Sequence, residues 1–318
     1  MPPRILIGED VGERNLARLR ARFPEIEFIF APTPEGVTAH VSDVPIIFTK
    51  NLPRPAIERA KNLVWVQAGI AGVDGMLANG MREHPAILTN ARGAHGIPMA
   101  EHILAMMFAL ANRVPLLVQA QPERRRVGLQ AREEKWELDA QTIVVVGLGD
   151  VGGTLARKGK ALGMRVFGVR RSGEPFPDLD AVYRPADLGA ILPDADHVAL
   201  CLPGTSETYR ILGAREIALL KPTACVYNVG RGNAIDQDAL VDALRAGRLG
   251  GAGLDVTSPE PLPDASPLWD LPNVILGQHS SGHSPFNHER ITDIFADNLA
   301  RYMRGETLVN VVDKERGY

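Results

Sequence analysis

The chain has 318 residues, 45% of them hydrophobic and 23% charged, with a formal net charge of −3. That length leaves room for about two domains with real cores. The balance of charge excludes a nucleic-acid or membrane-surface footprint built on excess Lys and Arg. Met1-Pro-Pro-Arg-Ile-Leu-Ile-Gly8 runs directly into a strand pattern with no apolar targeting core. The longest apolar-rich segment, Ile103 to Ala111, is too short to span a bilayer. Cys201 and Cys225 lack metal-ligand spacing and sit in strand-like runs, so a cytoplasmic protein with buried, reduced thiols is expected.

From the N-terminus, short apolar runs alternate with helical patterns. Arg4 to Ile7, Glu27 to Phe30, Pro45 to Thr49, Leu63 to Gln67 and Ala86 to Thr89 read as strands, and Val11 to Phe23 and Arg54 to Ala60 as helices. Such alternation predicts a parallel sheet with helices on both faces. Pro98 to Val114 then places Ile103, Met106, Met107, Leu110 and Val114 on one helical face, while Leu104, Phe108 and Ala111 carry apolar character round much of the rest. A helix of this kind is expected to be buried on several sides, either inside a core or in the interface of a homodimer.

The most informative stretch is Thr142-Ile-Val-Val-Val-Gly-Leu-Gly-Asp-Val-Gly152, a β-branched run that breaks into Gly147-x-Gly149-x-x-Gly152 and then into a helix-forming segment, Thr154 to Leu162. Alone, three glycines at this spacing are also compatible with a plain turn. The strand before and the helix after are what a dinucleotide-binding βα unit requires: Gly147 for the turn, Gly149 for approach of a pyrophosphate, and Gly152 for packing of helix on strand. Further strands are expected at Arg165 to Val169, Ala181 to Tyr183, His197 to Leu202, Ala224 to Asn228, Gly251 to Asp255 and Val274 to Leu276, completing a doubly wound domain. The last helix, His288 to Arg304, is expected to return to the first domain.

Three later segments place polar residues at the carboxyl ends of strands, where open α/β sheets bind ligands: Tyr227 to Asp236 with Arg231, Gly251 to Pro263 with Glu260, and Val274 to His283 with His279. An Arg can hold a carboxylate in bidentate fashion and polarise a neighbouring carbonyl. A His paired with a carboxylate can give a proton to a carbonyl oxygen as hydride arrives and take it back in reverse. The chemistry implied is 2-oxo acid to 2-hydroxy acid. Singly, each residue also reads as an ordinary turn, loop charge or strand-end histidine; the set of three, downstream of a nucleotide motif, carries the argument. His283 follows His279 by four residues, but Gly282 and Pro285 oppose a continuous helix there, so no metal site is expected and His283 is assigned to the substrate pocket.

On Ala68-Gly-Ile-Ala-Gly-Val-Asp74, Ala100-Glu-His102, Gly147 to Gly152, Leu202-Pro203, Asn228 to Asp236, Asp255 to Pro263 and His279, the chain resembles the D-isomer-specific 2-hydroxyacid dehydrogenases, the group that includes glyoxylate/hydroxypyruvate reductases and 3-phosphoglycerate dehydrogenase. The resemblance implies two doubly wound α/β domains, a Rossmann dinucleotide domain (94–280) inserted into a flavodoxin-like substrate domain (1–93 and 281–318). It implies that Arg231 binds the substrate carboxylate and carbonyl, that His279 is the acid/base and that Glu260 tunes it. The backbone of Gly69, Ile70 and Ala71 would cradle the substrate carboxylate. The NAD or NADP site would comprise Gly147, Leu148, Gly149, Asp150, Val151 and Gly152, with Leu202, Pro203, Thr208, Val229, Gly230 and Asp255 from later strand ends, Asp255 lying against the nicotinamide carboxamide.

Two departures bear on the carry-over. Gln278 stands where the family commonly has Pro before the catalytic His. Arg170, at the end of the second strand of the nucleotide unit, stands where NAD-preferring members carry Asp, and Arg170-Arg171-Ser172 suits a 2′-phosphate, so NADP is the preferred cofactor and NAD the second choice. A solvated arginine pair remains the alternative reading of those two residues. The expected partners are a small 2-oxo or 2-hydroxy acid and a second copy of the chain, with neither nucleic acid nor membrane. The rival to an enzyme is a dehydrogenase-like binding protein that uses nucleotide to set its assembly state, as corepressors resembling this family do.

Overall fold

The computed structural model describes residues 3–318; Met1 and Pro2, the first two residues of the segment assigned as 1–93, lie outside the described residues. The chain divides into two compact units, Met1–His95 with Ser284–Tyr318, and Gly96–His283.

The first unit is built on five parallel strands, β1 (Arg4–Ile7), β2 (Glu27–Phe30), β3 (Ile46–Thr49), β4 (Trp65–Ala68) and β5 (Ile87–Thr89), in the order β2-β1-β3-β4-β5. This is the flavodoxin-like order. Successive side chains point to opposite faces of a strand, and the core divides accordingly. Leu6, Ile47 and Val66 join one buried cluster with Val37, Ala56 and Ile57, whereas Ile5, Ile7, Ile46, Phe48 and Trp65 join another with Leu16, Leu19 and Phe295. The second cluster recruits the C-terminal helix Asn287–Met303, whose Phe295 stacks on Phe48 at 4.6 Å between ring centroids. A buried polar chain ties that helix to the sheet: the Asn298 amide donates to Gln67 Oε1 (3.1 Å), which also accepts from the Thr89 hydroxyl (2.8 Å), itself the acceptor for the Trp65 indole (2.8 Å). A helix over Pro34–His40 is additional to the elements expected from periodicity; Thr33 caps it by accepting from the Gly36 amide at 3.1 Å.

The second unit carries seven parallel strands, β6 (Thr142–Val146), β7 (Arg165–Val169), β8 (Ala181–Tyr183), β9 (His197–Leu200), β10 (Cys225–Asn228), β11 (Gly251–Leu254) and β12 (Val274–Leu276), in the order β12-β11-β10-β9-β6-β7-β8. The order reverses between β6 and β9, so a crevice is expected at their carboxyl ends. His197 is sealed within the sheet between Gln141 Oε1 (2.6 Å) and the Tyr227 hydroxyl (3.2 Å), and burial pushes its imidazole down to about 4. Burial likewise pushes both thiols, Cys201 and Cys225, up to about 12, which leaves neither a nucleophile.

The apolar helix is shorter than expected. It runs Gly96–Ala111 and stops, Arg113 turning left-handed (φ 56°) before a second helix, Val114–Ala120, at 67° to the first. Pro115 is the physical reason, because it lacks an amide and would clash with the Ala111 carbonyl in a continued helix. Within the chain the helix is also buried on one face only, through Ala100, Ile103, Met106, Met107 and Leu110, while Phe108, Leu117, Val118 and Leu129 stay exposed.

Candidate active site

The dinucleotide signature folds as a strand, a tight turn and a helix. Gly147 follows β6 with φ 98°, a conformation that L side chains rarely adopt, and a Cβ on Gly152 would stand 1.8 Å from the Gly147 carbonyl. The helix Asp150–Ala161 begins inside the motif rather than after it, because its first turn is formed by the residues that close on that carbonyl. No side chain caps its N-terminus, and nothing lies within 4 Å of where a Cβ on Gly149 would point. A helix N-terminus with no side-chain cap, beside a glycine with open space in front of it, fits a pyrophosphate.

The remaining residues assigned to the nucleotide lie on neighbouring strand ends. Arg170 leaves β7 half-buried, and the Gly173 amide donates to its carbonyl at 3.1 Å, folding Arg170-Arg171-Ser172 into a turn with Arg171 and Ser172 exposed. Arg171 lies 3.7 Å from Glu207, in the loop after β9. That loop is folded by Thr208, whose hydroxyl donates to the Pro203 carbonyl at 2.7 Å and accepts from the Thr205 amide at 2.9 Å. Val229 is buried in the core below the strand ends.

Arg231, Glu260 and His279 follow β10, β11 and β12, three adjacent parallel strands. Asn228, fully buried at the end of β10, shapes the first loop by donating to the Arg231 carbonyl (2.9 Å) and accepting from the Gly230 amide (3.0 Å). The glycines on either side of Arg231 are dictated by packing: a Cβ on Gly230 would stand 2.4 Å from the Leu202 carbonyl, and one on Gly232 1.9 Å from the Thr257 carbonyl. Arg231 is thereby carried on a loop wedged between the β9 and β11 loops. Its Nη1 donates to the Gly230 carbonyl at 2.9 Å.

His279 meets Glu260 through Nδ1 and Oε1 at 2.5 Å, which leaves Nε2 as the ring nitrogen open to a reacting group. The imidazole side chain is 58% exposed, so that nitrogen is reachable. The loop is held in an unusual backbone: Gln278 (φ 54°) and His279 (φ 56°) are both left-handed, a conformation that costs free energy for non-glycine residues. Proline cannot adopt that φ, so the departure at Gln278 from the family's common Pro has a direct conformational counterpart.

What holds the loop is Asp255, buried at the end of β11. Its carbonyl accepts from the His279 amide (2.6 Å), Oδ1 from the Ser280 amide (2.8 Å), and Oδ2 from the Ser281 amide (3.2 Å) and hydroxyl. Asp255 was assigned to the nucleotide from the resemblance alone; its organisation of the His279 turn was not legible, because residues 255 and 279 are joined only by the pairing of β11 with β12. His102, on the helix Gly96–Ala111, approaches the same carboxylate at 3.8 Å. His283 is exposed, with its amide donating to the Ser280 carbonyl at 3.1 Å. Among the described residues no group of three or more His, Cys, Asp or Glu could hold a metal ion.

In the first unit, Gly69-Ile70-Ala71 leaves the end of β4. The carbonyls of Ile70 and Ala71 accept from the Ala91 amide and the Asn90 side chain, each at 2.9 Å. The Gly69 amide is spent on the Thr49 carbonyl at 3.0 Å, and among the described residues the Ile70 and Ala71 amides donate to no protein group.

Comparison with known proteins identifies the family. Residues 104–281 match the family described as D-isomer specific 2-hydroxyacid dehydrogenase, NAD binding domain. The chain belongs to the D-isomer specific 2-hydroxyacid dehydrogenase family. A glyoxylate reductase of Korarchaeum cryptofilum is 30% identical, over 99% of this chain and 97% of its own. A family member of known structure from Aeromonas salmonicida is 32% identical with a TM-score of 0.87, over 99% of this chain and all of its own. The NADPH-dependent glyoxylate/hydroxypyruvate reductase of Sinorhizobium meliloti, solved with NADP and sulfate, is 26% identical with a TM-score of 0.85, over 99% of this chain and all of its own. As a member of this family the protein is an NAD(P)-dependent D-2-hydroxyacid dehydrogenase with a Rossmann nucleotide domain.

Proposed function

We propose that the protein is a 2-oxo acid reductase of the glyoxylate and hydroxypyruvate class that prefers NADPH. The observation that carries this reading is the His279–Glu260 pair, with Nδ1 committed at 2.5 Å and Nε2 left for substrate. Bound nicotinamide supplies the hydride. Arg231 docks the substrate carboxylate and polarises the 2-oxo group, and the family resemblance assigns the backbone of Gly69, Ile70 and Ala71 to carboxylate binding as well. His279 Nε2 gives its proton to the carbonyl oxygen and recovers it in the reverse direction, while Glu260, bonded to Nδ1, orients the ring. A panel of glyoxylate, hydroxypyruvate, pyruvate and phenylpyruvate, each with NADPH and with NADH, tests the reading. Reduction of the two smaller polar acids is the expected result. Turnover of none would favour the nucleotide-sensing binding protein instead.

The exposed apolar residues after the helix break support a second copy of the chain as partner. Phe108, Leu117, Val118 and Leu129 form an unusual concentration of exposed apolar side chains on consecutive helices. In sedimentation at micromolar concentration the protein is expected to run at about twice its 34.5 kDa chain mass, and Leu117→Glu with Val118→Glu to yield monomer. A monomeric wild type would refute the dimer.

A further inference from the structure

Glu9 follows β1 through Gly8, at the carboxyl edge of the five-stranded sheet. It reaches across the end of β3 to the loop after β4. There its Oε2 presses on Gly69 so closely that a Cβ at that position would stand 1.7 Å from it. The Glu9 side chain is buried, 5% exposed, and among the described residues Oε2 has no hydrogen-bond partner. Leaving a buried carboxylate oxygen unpaired costs free energy, so a chain that keeps one here does so against stability. In the two residues that follow Gly69, the Ile70 and Ala71 carbonyls are tied down by Ala91 and Asn90, and among the described residues their amides donate to no protein group. A buried acid therefore presses on the segment that carries two backbone donors not used within the protein.

Resting on the function proposed above, we propose that Glu9 is a positioning residue for the anionic substrate: neutral, it underlies the Gly69–Ala71 cradle without opposing a carboxylate there, and ionised, it repels that carboxylate and weakens binding. The charges that reach Glu9 are Lys50, just past β3, and its own neighbour Asp10; the loop after β4 presents none, reading Gly69-Ile70-Ala71-Gly72-Val73. Burial is the dominant influence and pushes the carboxyl up to about 7, against the lowering effect of Lys50. The switch thus falls near neutral pH. A carboxyl raised in this way stabilises the fold relative to its ionised form at low pH, and that advantage is lost as pH rises from the ordinary Glu range through 7.

The test compares wild type with Glu9→Gln, a near-isostere that stays neutral. Binding of oxamate, an unreactive 2-oxo acid analogue, is measured by calorimetry from pH 6 to 8.5 with the reduced cofactor present. The ratio of wild-type to variant Kd is expected to be near 1 at pH 6 and to rise roughly 10-fold by pH 8.5, a like-charge effect at partly buried range. Any dependence contributed by His279 is common to both proteins and cancels in the ratio. A ratio that stays flat overturns the proposal, as does absence of oxamate binding at pH 6, whereas reductase turnover in the substrate panel judges the function separately. Thermal melts without ligand supply a second readout. The variant should gain in Tm over wild type between pH 5 and 8, and parallel melts across that range would show that Glu9 does not ionise there. Lys50→Met should move the rise in the Kd ratio to higher pH, because it removes the charge that favours the carboxylate; no movement would count against the proposal.

Discussion

Replacing His279 by alanine is expected to lower kcat for 2-oxo acid reduction by roughly 10²–10⁴-fold while leaving the fold intact, the range over which a positioned acid/base acts. The structure makes the first half of that expectation large and the second half safe. The ring is the group whose free nitrogen stands open beside a carboxylate-bound partner nitrogen, and it is mostly exposed, so its removal opens no core cavity. The turn beneath it is held by Asp255 through backbone and serine groups rather than through the imidazole. Arg231→Ala should fall by a comparable factor, about 10² or more, with KM rising as well, because the loss of a docking group misplaces the carbonyl. Arg231→Lys should recover only part of this, since an ammonium keeps the charge and loses the fork. Circular dichroism and melting temperature establish that each variant is folded. A folded His279→Ala protein with near-normal kcat would end the assignment of that residue.

The second large effect concerns the cofactor. Wild-type protein is expected to favour NADPH in kcat/KM, and Arg170→Asp to shift the NADPH to NADH ratio by about 10²-fold, the worth of one charge-assisted hydrogen bond to phosphate. Arg170 has the better claim of the two arginines. It leaves β7 half-buried, where a ribose hydroxyl or its phosphate belongs, whereas Arg171 points to Glu207 in a fully surface pair. The turn from Arg170 to Gly173 and the Ser172 hydroxyl, which accepts from the Glu174 amide at 3.2 Å, hold the segment in place. A wild-type preference for NADH, or an Arg170→Asp variant with unchanged selectivity, would show that this arginine does not read the 2′-phosphate. Steady-state kinetics with both cofactors on both proteins decides the matter.

Much of this molecule is written locally. The alternation of β-branched runs and helical periods determined both parallel sheets, because a strand's burial on two faces and a helix's burial on one leave marks within ten residues of chain. The glycines at 147, 149 and 152 are legible as a nucleotide turn from their spacing between a strand and a helix: Gly147 takes the positive φ of the turn, Gly152 leaves room for the Gly147 carbonyl, and the space in front of Gly149 is open. Arg231, Glu260 and His279 are legible only as a set at three strand ends downstream of the nucleotide motif, since each alone also reads as an ordinary turn, loop charge or strand-end histidine. The tertiary structure decided the rest. Whether His279 presents Nδ1 or Nε2 depends on which atom Glu260 reaches across two loops. Asp255 shapes the His279 turn only because β11 lies beside β12, and Gln278 takes a left-handed backbone only because that turn requires it. Glu9 acquires its buried, unpaired oxygen from a residue sixty positions away, across the end of an intervening strand. Periodicity and motif spacing report on what a residue meets along the chain; desolvation and like-charge repulsion depend on what it meets through space, and only the assembled sheet brings those groups together.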